Sequence, residues 1–194
     1  MEGAGGIVRD VRYWDRPGPG NTAATVELSV RRARELGLHR LVVASNTGTS
    51  AQALRRAADK DMRVVCVTHS VGFREPGVDE MPRETRQELL AAGVEVLTTT
   101  HFLAGVDRAL RVMQGGFHAA DVVAMSLRML GQGLKVAVEV SVMATDAGLL
   151  RPGEEAVAIG GTNRGADTAI VVRPTHGQSF FDTRVVELLC MPRG

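Results

Sequence analysis

The chain of 194 residues is long enough to bury a sizeable core, and its many glycines (22) with few aromatics (4%) fit an α/β domain with tight turns better than a β-sandwich. A formal net charge of +1 gives no electrostatic case for nucleic acid or an anionic membrane surface, and Tyr13 and Trp14 are too few large polar aromatics for a base-stacking platform. No stretch reads as a secretory signal or an apolar run of membrane length, and Cys66 and Cys190 sit in apolar runs as buried thiols of a reducing compartment, so a cytoplasmic location is expected.

Residues 1–10 read as a loose or short extended start, residues 12–14 as a short strand and residues 15–20 as a Pro/Gly turn. Asn21 or Thr22 caps a helix running to about Leu36, where Gly37 stops it. Residues 40–44 form the first core strand. Directly after it comes Ser45-Asn46-Thr47-Gly48-Thr49-Ser50, then a helix over residues 51–58. A strand, a hydroxyl-rich turn with one glycine and a helix start make an anion-binding arrangement, because backbone N–H groups and the helix dipole converge there. The plainer reading is that Thr49 or Ser50 caps the helix and does no more.

Residues 63–68 are a nearly continuous apolar strand, consistent with burial on both faces. A long loop follows with His69, Gly72 and Phe73. A helix over residues 82–92, a stop at Gly93 and a strand over residues 94–98 lead to Thr99, Thr100 and His101. This alternation predicts βαβ units and a parallel sheet. Helices are then expected over residues 119–131 and 134–149, broken at Gly131-Gln132-Gly133. The second is apolar nearly all round, which marks it as buried. Its exceptions, Lys135, Glu139 and Asp146, fall near one face; they read as an ion-paired structural stripe ahead of a catalytic one. Strands over residues 155–159 and 168–173 flank a second glycine-rich loop, residues 160–167, and residues 184–191 close the chain as an antiparallel edge strand. No repeat or linker divides the chain, so residues 1–194 are expected to form one three-layer α/β/α domain around a mostly parallel sheet.

In an open parallel sheet, ligands bind beyond the C-terminal strand ends. Four polar loops share that rim here: residues 45–50; His69, Gly72 and Phe73; Thr99, Thr100 and His101; and residues 160–167, with Gly161, Thr162, Arg164, Gly165 and Asp167. His69 and His101 read as acid/base groups, as hydrogen-bond donors to a ligand, or as satisfied structural histidines. Arg164 can clamp an anion or decorate a surface turn, and Phe73 can stack on a planar ring or plug the loop onto the core. Histidine and cysteine spacings give no metal signature, and neither Gly-x-Gly-x-x-Gly nor Gly-Lys-Ser/Thr follows a strand, so no metal and neither a dinucleotide fold nor a P-loop is expected. A sheet edge and the apolar helix over residues 134–149 make a homo-oligomer one expectation.

The turn Ser45-Asn46-Thr47-Gly48-Thr49-Ser50-Ala51 resembles the sugar-phosphate effector loop of the pyruvate kinase C-terminal domain. Most of the chain is similar to a stand-alone family built on that domain, through Pro19-Gly20-Asn21-Thr22, Thr68-His69, Gly72-Phe73, Thr98-Thr99-Thr100-His101, residues 127–139, residues 143–149 and residues 160–169. The resemblance implies the three-layer fold without a pyruvate kinase barrel, so phosphoryl transfer to ADP is not implied. It further implies flavin mononucleotide (FMN) as the ligand, with the reaction open. Ser45, Thr47, Gly48, Thr49 and Ser50 would hold its phosphate, and His69, Gly72, Phe73, Thr99, Thr100, His101 and the 160–167 loop would line the rest. Two residues depart from the family pattern. Asn46, in place of a hydroxyl residue, costs one hydroxyl contact; Asn163, in place of glycine, stiffens its loop or takes a left-handed turn. The expected function is thus binding of a phosphorylated small molecule. A flavin-dependent oxidoreductase and a sugar-phosphate-sensing module are the alternatives.

Overall fold

Valine-rich strands that alternate their side chains between two buried faces need a helical layer on each side. The computed structural model describes residue 6 and residues 8–194, and it has that form. The expected loose start lies largely outside the described residues. In chain order the elements are β1 (Arg12–Trp14), α1 (Thr22–Leu36), β2 (Arg40–Ala44), α2 (Thr49–Ala57), β3 (Arg63–Thr68), α3 (Arg83–Ala91), β4 (Glu95–Thr98), α4 (Gly105–Gln114), α5 (Ala119–Arg128), α6 (Gln132–Asp146), β5 (Ala156–Gly160), β6 (Thr168–Arg173) and β7 (Arg184–Pro192). The strands form one seven-stranded sheet in the order β1-β7-β6-β5-β2-β3-β4.

Leu41, Val43, Val64, Cys66, Val157 and Ile159 face one core with Val26 and Val30 of α1, Leu54 of α2 and Leu89 of α3. Their neighbours Val42, Val65, Val67, Ala156 and Ala158 face the other with Ala137, Val138 and Met143 of α6. Helix α6 is buried along most of its length because α5 covers its far side. Its all-round apolarity is therefore spent inside the domain and supplies no free oligomer face. Both cysteines are free and buried, and burial pushes the Cys66 thiol up to about 12. No helix among the described residues is long and apolar enough to cross a membrane.

Strand direction is where the structure departs from the expected edge. β7 is not the edge strand, because β1 pairs with it in parallel from Arg12↔Cys190 to Trp14↔Pro192. The strand that runs against the others is β6, which pairs antiparallel with both β5 and β7. The loop between β5 and β6 is too short for a crossover helix, so the chain must turn straight back. A second reversal then restores β7 to the direction of the parallel strands.

Boundaries shift for identifiable reasons. α2 begins two residues earlier than expected, at Thr49. α6 includes Gln132 and Gly133 and ends at Asp146, so the expected Gly-Gln-Gly break reduces to Gly131 at φ 111°. Helix α4 is additional to the elements expected from sequence. Gly133 lies inside α6 because its bare Cα lets the helix settle on β6: a Cβ there would stand 2.1 Å from Thr168 Oγ1.

Candidate functional site

Ser45 directly follows β2, and its N–H still pairs with Val67 O at 2.9 Å, which fixes it at the strand tip. Its Oγ accepts from the N–H groups of Ser50 (3.1 Å) and Ala51 (3.4 Å). Ser45, rather than Thr49 or Ser50, therefore caps α2, reaching it from the preceding strand. Gly48 is required twice over. It has φ +88°, and a Cβ would lie 2.4 Å from Thr85 Cγ2 of α3. The N–H groups of Thr47, Gly48 and Thr49 have no hydrogen-bond partner among the described residues, and the exposed Thr47 and Thr49 hydroxyls stand 3.3 Å apart beside them. Three amides and two hydroxyls at a helix N-terminus suit a phosphate.

Asn46 makes a two-point bridge to His69. The His69 backbone N–H donates to Asn46 Oδ1 at 3.0 Å, and Asn46 Nδ2 lies 2.9 Å from His69 Nε2. Since Oδ1 accepts, Nδ2 must donate; His69 Nε2 is then an acceptor, and Nδ1 carries its proton to the Glu80 carboxylate. Arg74 Nε holds the other Glu80 oxygen at 2.9 Å. With both ring nitrogens engaged, His69 is a positioned strut.

The His69 ring packs 3.8 Å from Phe73 and 4.9 Å from His101, and the Arg108 guanidinium lies 4.6 Å above Phe73. These rings border an open cleft of about 440 Å³ between the loop after β3 and helix α4, with Gly72, Phe73, Thr100, His101, Arg108 and Val112 among its walls. Beneath it, Lys135 pairs with the buried Glu139, whose other oxygen accepts the Leu103 N–H at 2.8 Å. This is the ion-paired stripe expected on α6, and it pins the turn that carries His101. Asp146, at the far end, anchors His176 and the Gly177 N–H.

His101 differs from His69 in that its ring nitrogens have no partner among the described residues. Burial holds its pKa below the ordinary histidine range; Glu139 opposes this, while His69, Lys135 and Arg108 add to it. A histidine depressed in the folded state binds protons more readily when unfolded, so stability falls as pH drops below the unfolded histidine value of about 6.5. His101→Gln flattens that decline in urea titrations run across pH 7 to 5; an unaltered slope would mean that His101 carries no such shift.

The glycine-rich loop after β5 has a different setting. Asp167 is fully buried, and its carboxylate accepts the Gly18 and Thr162 N–H groups, both at 3.0 Å, and the Thr168 hydroxyl at 2.9 Å. Its backbone oxygen accepts Trp14 Nε1 at 2.8 Å. Gly165 packs on Pro19 and Thr22, and Gly161 against the backbone of Gly165. Asn163 takes the left-handed turn at φ 68°. Asp167 and both glycines therefore clamp this loop to the segment around Trp14–Thr22, leaving Arg164 exposed and Thr162 half-buried at the rim. Thr99 is half-buried at the end of β4. The structure thus brings together Asn46, His69, Phe73 and His101, with residues 47–49 following Asn46 in the chain, and ties the loop after β5 to other partners. Glu80, Arg86 and Arg108 join the site without having been singled out in the sequence; Arg86 braces it by bonding Asp79 and Thr98 at the strand ends. Among the described residues no group of three or more His, Cys, Asp or Glu is placed to hold a metal ion.

The geometry is that of an α/β domain with an amide-and-hydroxyl loop at one strand tip and a ring-lined cleft at the strand ends. Residues 23–172 match the family model "Pyruvate kinase, alpha/beta domain", and the chain belongs to that family. Among solved structures it is similar to a pyruvate kinase from Cryptosporidium parvum, at 14% identity over 78% of this chain and 22% of that one, with a TM-score of 0.40. It is likewise similar to a Cryptosporidium parvum pyruvate kinase in complex with ADP, at 15% identity over 78% and 23%, also with a TM-score of 0.40. The chain spans less than a quarter of the length of either.

Proposed function

We propose that this domain binds a phosphorylated small molecule carrying a planar ring, with FMN as the ligand implied by the family resemblance, in the reducing cytoplasm that its free thiols suit. One observation carries the reading: the unpartnered amides of residues 47–49 are joined, through the Asn46–His69 bridge, to a cleft walled by Phe73 and Arg108. The residues present fit the ligand. Thr47, Gly48 and Thr49 would hold the phosphate, and Phe73 with Arg108 offers an aromatic and cationic face to a flat ring. FMN, when bound, supplies redox chemistry. The chain itself contributes orientation through the His69–Glu80–Asn46 network and a neutral imidazole, His101, able to accept a proton at the cleft. That free imidazole is what favours an enzyme over a sugar-phosphate sensor.

Thr49→Asp separates binding from folding. A carboxylate at the first turn of α2 favours the helix but repels a phosphate. Calorimetry with FMN should show affinity reduced about tenfold or more, while riboflavin, which lacks the phosphate, binds wild type and variant alike. Equal FMN affinity would remove this loop from the site. Tight binding of a sugar bisphosphate with none of FMN would favour the sensor.

A further inference from the structure

Helices α4 and α5 hold a concentration of apolar side chains that the domain does not cover. Val106, Val112, Met113 and Phe117 are exposed on and just after α4, Val112 at 81%. On α5, Val122, Met125 and Met129 repeat at helical spacing, with Met129 at 87%, while the opposite face sends Ala124 and Leu127 into the core. The outward stripe is thus a second apolar face on a helix whose first face is already satisfied. At roughly 100 Å² apiece, these side chains other than Val112, which walls the cleft, offer on the order of 600 Å², near each partner's share of a standard-size interface.

The composition and area of the stripe suit a second copy. Of the five charged residues of α4 and α5, Arg111 pairs with Asp121, while Asp107 accepts the Ala120 N–H, Arg128 donates to the neutral Gln132 and Arg108 lies over Phe73, so these last three keep their charge. Only Arg111 and Asp121 neutralise each other, and the seven apolar side chains themselves bring no charge to oppose itself across a two-fold axis. An isologous contact needs a self-complementary surface, and an uncharged stripe of valine and flexible methionine provides one.

We infer that a second copy of this chain packs on the α4–α5 face to form a two-fold dimer. Sedimentation equilibrium of the full chain at about 100 µM should give twice 20.7 kDa. Met125→Asp with Met129→Asp should raise the dimer dissociation constant about 30-fold or more without altering the circular-dichroism melt of the monomer. Val186→Asp, on the exposed part of β7, should leave the dimer intact. If the double variant misfolds, hydrogen exchange of the wild type decides: α4 and α5 should gain protection as concentration rises. A chain that stays monomeric, or a dimer that survives both α5 substitutions, overturns the inference.

Discussion

Gly160→Ala lowers the unfolding free energy by about 3 kcal/mol, because the added methyl must enter backbone. A Cβ at Gly160 would stand 2.1 Å from Gly133 O and 2.9 Å from Ala137 N. Gly133 is equally constrained from the other side by Thr168, so the pair sets how closely α6 approaches the ends of β5 and β6. The neighbouring atoms are helix backbone, which has no side-chain rotamer with which to yield. Relief requires the whole N-terminal turn of α6 to lift, carrying Lys135 with it. Gly20→Ala is the control: its Cβ would meet nothing within 4 Å, and its change should stay within about 0.5 kcal/mol in urea denaturation. A Gly160→Ala loss below about 1 kcal/mol would show that α6 can retreat cheaply.

Lys135→Met is expected to cost about 3–5 kcal/mol, since it strands the Glu139 carboxylate, 1% exposed, without its cation. The double variant Lys135→Met with Glu139→Gln should recover most of that. A glutamine oxygen can still accept the Leu103 N–H, and no buried charge remains. The recovery, read as a double-mutant cycle, measures the coupling between the two residues. Additive losses would mean that Glu139 finds another partner or water.

Much of the fold is legible in the sequence because β2, β3 and β6 are continuous apolar runs with clear stops, and their bounds match the expected residues. Helix α4 is less legible. It starts without a side-chain cap, at Gly105 with φ 48°, and although its apolar residues recur at helical spacing, Val106, Val112 and Met113 stay exposed. Strand direction in the second half is also hidden: it depends on the length of the loop after β5, not on the composition of β6 and β7. Within the site, strand-end positions identify His69, Phe73 and His101. The sequence shows Asn46 only as a departure from a hydroxyl residue; its two bonds to His69, just beyond β3, appear only in the fold. Glu80 and Arg108 reach the site only through the closure of the loop after β3 and the placement of α4. Asp167 reads as a ligand contact by loop position, whereas its side chain points inward to Gly18 and Thr162.

The central claim joins a phosphate loop and an aromatic cleft into one binding site. An amide-resolved nuclear magnetic resonance titration with FMN tests it most directly. The account predicts concerted shifts at Thr47, Gly48 and Thr49 together with Gly72, Phe73 and His101, saturating at one equivalent. Shifts that spare residues 47–49, or none at all in either group at millimolar FMN, would contradict it.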